Sequence, residues 1–112
     1  MQIEAESLSS GILKIDLAGR MDVQGAQEID VKFAAYASRQ RAVIVDMSAV
    51  SFLASMGMRT LLLAAKAISQ RGGKMVLLNP DASVTHALEM AGIDTLIPIF
   101  RSLDDASSAV CA

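Results

Sequence analysis

Apolar and polar residues alternate from Met1 to Ala5, and after Ser7-Leu8-Ser9-Ser10-Gly11 the alternation returns, with Leu13, Ile15 and Leu17 set against Lys14, Asp16 and Ala18. A period of two sends successive side chains to opposite faces, so this region predicts two strands joined by a turn. Gly19 is expected to stop the second strand. Asp22 then stands where an N-cap belongs, its carboxylate able to accept the free backbone N–H groups of the next turn. A helix from about Val23 to Ser38 follows, with Val23, Ala26, Ile29, Phe33 and Ala37 at helical spacing and Gln24, Glu28, Asp30 and Lys32 off that stripe.

Ala42-Val43-Ile44-Val45-Asp46-Met47 is short, β-branched and barely alternating, the pattern of a central strand buried on both faces. After Val50-Ser51-Phe52-Leu53-Ala54-Ser55, the residues from Met56 to Gln70 favour helix, and Gly72-Gly73 supplies its stop. Lys74 to Leu78 reads as another buried strand. Asn79-Pro80 ends it, Asp81 can cap a helix over Ala82 to Ala91 that carries Val84, Ala87, Leu88 and Ala91 on one side, and Gly92 closes that helix. Leu96 to Phe100 is a last strand, which Pro98 confines to a sheet edge or an irregular end. A short final helix begins at Ser102 or Asp104. The order β-β-α-β-α-β-α-β-α predicts an α/β fold: a small mixed β-sheet with helices packed against it, its central strands parallel through right-handed crossovers.

Composition narrows what such a fold does. The 112 residues are 53% hydrophobic, enough for one compact core and one domain. Lys+Arg 10 against Asp+Glu 12 leaves a net charge of −2, too weak a field to favour nucleic acid or an anionic membrane. Met1 to Glu6 lacks the regions of a signal peptide, and no run approaches the roughly 18 apolar residues of a membrane span, so a cytoplasmic setting is expected. The one cysteine, Cys111, has no partner for a disulfide or a metal site. A mean hydropathy of +0.43 suggests apolar surface covered by a partner or by a second copy in a homodimer.

Catalytic signatures are scarce. The lone histidine, His86, lies on the third helix among Val84, Ala87 and Leu88, with no nucleophile tied to it by sequence. The residues around Ser55 run Leu53-Ala54-Ser55-Met56-Gly57, which lacks the first glycine of a nucleophile elbow. Gly72-Gly73-Lys74 precedes a strand, whereas a phosphate loop follows one. Asp16, Asp22, Asp46 and Asp81 do not form a metal signature, although Asp22 and Asp46 both fall near strand ends. No metal, cofactor or catalytic residue is therefore assigned. A small hydrolase using Ser55 with Asp22 or His86 stands only as a third-ranked alternative. Met56 and Met58 flank Gly57 at the start of the second helix, where core packing accounts for each and an adaptable contact surface of flexible thioethers is the alternative.

Gly19-Arg20-Met21-Asp22, the strand ending at Asp46, Phe52-Leu53-Ala54-Ser55-Met56-Gly57-Met58-Arg59, Gly72-Gly73-Lys74-Met75-Val76-Leu77-Leu78-Asn79-Pro80 and Leu88-Glu89-Met90-Ala91-Gly92-Ile93, taken in that order, resemble the STAS domain. The chain is similar in particular to the bacterial anti-sigma-factor antagonists, and the resemblance covers nearly all of it. It implies partner switching: a non-catalytic antagonist binds an anti-sigma factor that is also a serine kinase of the histidine-kinase-like ATPase type, phosphorylation of one serine ends the binding, and a serine phosphatase restores it. The family motif Asp-Ser-Ser/Thr-Gly places that serine at Ser55, with Ala54 here in place of the aspartate and Met56 in place of the second hydroxyl residue. The resemblance puts the partner-binding surface at Asp22, Ala54, Ser55, Met56, Gly57, Met58 and Arg59. The alternative it leaves is a STAS regulatory subunit of a transporter or larger signalling complex that works without serine phosphorylation.

Overall fold

The computed structural model of the chain describes residues 1–111. Strands β1 (Gln2–Ser7), β2 (Ile12–Met21), β3 (Ala42–Leu53), β4 (Lys74–Leu78) and β5 (Ile99–Phe100) alternate with helices α1 (Val23–Ala37), α2 (Ser55–Gln70), α3 (Ala82–Met90) and α4 (Leu103–Cys111) after the first two strands. The sheet runs β1-β2-β3-β4-β5, so spatial order follows chain order. β1 is antiparallel to β2 and every later pair is parallel. This is the predicted mixed sheet with its predicted element order.

The period of two in the strands divides the core. Leu13, Ile15, Leu17, Val43, Val45, Met47, Met75 and Leu77 meet Ile29 and Phe33 of α1, Leu61 and Ile68 of α2, and Val84 and Leu88 of α3. Ile12, Ile44, Val76 and Leu78 point the other way and meet Ala106 and Val110 of α4. The expectation of a central strand buried on both faces holds at Val43, Ile44 and Val45, each with no exposed surface. Where α4 ends, that second face turns polar. Lys14 Nζ lies 2.7 Å from Asp16 Oδ1 and 3.4 Å from Asp46 Oδ2. Asp46 Oδ1 also accepts from the Ser48 amide and hydroxyl. The two aspartates thus share one lysine, and the described residues hold no cluster of three or more side chains fit for a metal.

Four local expectations need correction. Gly19 does not stop β2: it takes φ +110° at a register shift, and the strand pairs onward as Arg20 with Phe52 and Met21 with Leu53. A residue without Cβ absorbs such a bulge at little cost. For the same reason β3 runs to Leu53, well past Met47. Val23 is 52% exposed because it opens α1 before the helix settles on the sheet, and the buried stripe is instead Gly25, Ala26, Ile29, Phe33 and Ala37. The last strand shrinks to Ile99–Phe100 after a 3₁₀ turn at Ile93–Thr95, since Pro98 has no N–H to give. Pro98 still accepts from Leu77 N at 2.9 Å, as suits an edge.

Candidate functional site

β2 and β3 are parallel neighbours, and each passes through one residue into a helix, Asp22 into α1 and Ala54 into α2. Two helix N-termini are therefore set side by side at the same sheet end. Ala54 N donates to the Met21 carbonyl at 3.0 Å, which ties the second junction to the first. Gly57 makes the close approach possible: a Cβ there would lie 2.7 Å from Met21 Cγ, 2.8 Å from Leu53 Cδ1 and 3.0 Å from the Met21 carbonyl oxygen. Of the sequence-predicted surface residues it alone is buried, beneath the others.

The helix starts are finished differently. Asp22 Oδ1 accepts from Gly25 N at 2.8 Å, Asp81 Oδ1 from Val84 N at 2.8 Å, and Ser102 Oγ from Asp105 N at 3.1 Å. The N-cap of α2 is Ala54, which has no group to offer. Ser55, one place later, is exposed, and its hydroxyl makes no hydrogen bond among the described residues. Ser55 is therefore not the capping residue of its helix. The first-turn amides of α2 therefore receive no side-chain cap, and the helix dipole makes that end weakly positive.

Around this point the chemistry is mixed. Asp22 keeps its carboxyl below its ordinary value, chiefly because the Gly25 amide outweighs the opposing cost of burial, with Arg20 lowering it further. Arg20 Nε is 3.6 Å from Asp22 Oδ2, and its guanidinium lies 4.5 Å above the Phe52 ring. Neither Asp22 nor His86 hydrogen-bonds Ser55, so no base is directed at its hydroxyl. Beside Ser55 opens a groove of about 400 Å³ along α2, lined by Met58, Arg59, Leu62, Leu63, Lys66, Ala91 and Ile93. A second hollow continues it past Leu62 and Lys66 to Leu96 and Ile97. Leu63 and Leu96, which line these hollows, are 56% and 68% exposed, an apolar surface open to a partner.

Sequence reasoning named the start of α2 but not the groove wall that Ala91, Ile93 and Leu96 bring from the far side of α3. The only signal for it was the high mean hydropathy. Arg71, which donates to the Ala37 and Gln40 carbonyls at 2.8 and 2.9 Å and so ties the end of α2 to that of α1, was also not anticipated. Among the described residues no helix is long and apolar enough to cross a membrane.

Known proteins are similar to this chain in sequence and in fold. A Bordetella bronchiseptica protein described as the anti-sigma factor antagonist BtrV is 28% identical over 100 residues, covering 88% of this chain and 86% of that one. The anti-sigma F factor antagonist of Paenibacillus polymyxa is 26% identical over 102 residues, covering 89% and 86%. Among solved structures, a Thermotoga maritima protein described as an anti-sigma factor antagonist superposes with a TM-score of 0.89 at 15% identity, covering 98% of this chain and 95% of that one. The STAS domain profile matches residues 4–106, and with that match over most of its length the chain belongs to the STAS domain family.

Proposed function

We propose that the protein is an anti-sigma-factor antagonist that binds its anti-sigma factor over the start of α2 and is released by phosphorylation of Ser55. The observation that carries this reading is the Ser55 hydroxyl itself: exposed, without a hydrogen bond among the described residues, and opening onto an apolar groove. A serine with no structural task at that position is free for a modifying enzyme. The names of the relatives support the class of partner.

The chain acts by binding, in the cytoplasm where sigma factors work. Its partner is an anti-sigma factor of the histidine-kinase-like ATPase type. Bound there, Ser55 Oγ attacks the γ-phosphorus of ATP: the Oγ–P bond forms, the bond to the ADP oxygen breaks, and the hydroxyl proton passes to a base of the kinase. A serine phosphatase reverses the state by hydrolysis. Asp22, Ala54, Met56, Met58 and Arg59 make up the contact surface around Ser55, and Gly57 holds it close to the sheet.

Phosphate adds about −1.5 to −2 charges at neutral pH. On the free chain the N-terminus of α2 favours that anion by roughly 0.3–1 kcal/mol, so the fold persists. A partner packed over Ser55 has to strip water from a dianion, and the complex fails instead. Calorimetric titration of the cognate anti-sigma factor tests this. Ser55→Ala binds as the unmodified chain does, and the phosphorylated chain or Ser55→Asp loses about 2 kcal/mol or more of binding energy. Equal affinity in the modified and unmodified forms removes Ser55 from the mechanism.

A further inference from the structure

We infer that Arg59 is the internal partner of a phosphate on Ser55, so that modification withdraws a cation from the docking surface as well as adding an anion to it. The inference rests on the phosphorylation of Ser55 proposed above. Residues four apart on a helix lie one above the other, and Ser55 and Arg59 line the same groove. Long helical side chains lean toward the N-terminus, which carries the guanidinium of Arg59 back over the turn that holds Ser55. An anion four residues N-terminal to a cation is also the favourable order of the pair.

Arg59 is exposed and has no ion pair among the described residues, whereas Arg20 is held by Asp22 and the Phe52 ring. The other cation of the groove, Lys66, is eleven residues from Ser55 along α2, roughly 16 Å by helical rise and out of contact. The wall formed by Ala91 and Ile93 brings no charge. At the neighbouring strand end Asp22 repels a phosphate, and Arg20 is already drawn to Asp22. One guanidinium is thus within reach, and its planar fork matches two phosphate oxygens. Unmodified, the same group stands free at the groove rim to meet a carboxylate of the anti-sigma factor.

The test uses the full chain with phosphoserine incorporated at position 55 during translation, followed by ³¹P NMR across pH, alone and with Arg59→Gln, Arg59→Lys or Lys66→Gln. The second phosphate pKa is expected below the ordinary value of about 6. Arg59→Gln raises it by about 0.3 unit, the size expected of an exposed pair at this spacing. Arg59→Lys keeps most of the depression, and Lys66→Gln changes nothing, with unaltered circular dichroism throughout. A titration unmoved by Arg59→Gln overturns the inference, as does an equal rise with Lys66→Gln, which would assign the effect to the general field of the groove. Because the phosphate is installed directly, this result is independent of whether a kinase modifies Ser55, and failure of that reading shows instead as binding insensitive to phosphate.

Discussion

Gly57→Ala sets two effects against each other with opposite signs. In an exposed helix, replacing glycine by alanine stabilises by up to about 1 kcal/mol, because alanine restricts the unfolded chain and favours helix. Here the added methyl would sit 2.7 Å from Met21 Cγ, 2.8 Å from Leu53 Cδ1 and 3.0 Å from the Met21 carbonyl. Met21 is fully buried and Leu53 is 5% exposed, so neither side chain can swing into solvent to make room. The carbonyl is fixed as well, because it accepts the Ala54 amide. Overpacking of this kind costs about 1–3 kcal/mol. The net expectation is a loss of about 1–2 kcal/mol, or a fall of roughly 5–10 °C in Tm for a domain of this size. Urea unfolding followed by circular dichroism, with a thermal scan beside it, measures the change. A Tm equal to that of the parent, or above it, would refute the claim that the first turn of α2 is pressed onto the β2 and β3 ends. The same variant should displace the start of α2, so affinity for the anti-sigma factor should fall with it.

Ala54→Asp or Ala54→Ser supplies the cap that α2 lacks and should raise stability by about 1 kcal/mol in urea unfolding, while Ser55→Ala, which removes no hydrogen bond, should change it by less than about 0.5 kcal/mol. A larger loss from Ser55→Ala would show that the hydroxyl has a structural task after all. Asp22 has a folded pKa below its unfolded one, so its contribution is present above the unfolded value of about 3.9 and disappears as pH falls through the folded value. Acid unfolding of Asp22→Asn should accordingly be less steep than that of the parent below about pH 4. Parallel curves would mean that the carboxylate is not engaged with the Gly25 amide in solution.

Much of this protein was legible without coordinates because it rests on interactions between near neighbours in sequence. Asp22 and Asp81 cap the helices that follow them, Gly92 ends α3, and the period of two from Leu13 to Leu17 marks one sheet face, each within reach of a few residues. The position of Ser55 at the mouth of a helix was equally a local matter. Pairing between distant segments decided the rest. β2 and β3 continue past Gly19 and Met47 because each finds the other's backbone there, a contact that neither segment announces alone. The sequence left open whether the Ser55 hydroxyl caps the helix, and only the placement of Ala54 at the cap, with Gly57 drawn down onto Met21, shows that it does not. The groove was out of reach of sequence for the same reason. Its walls come from α2 and from Ala91 to Ile97, which meet only because successive parallel crossovers stack their helices on one face of the sheet. Sequence determined which residues could form each element and cap it, and the tertiary structure decided which of them were left without a partner.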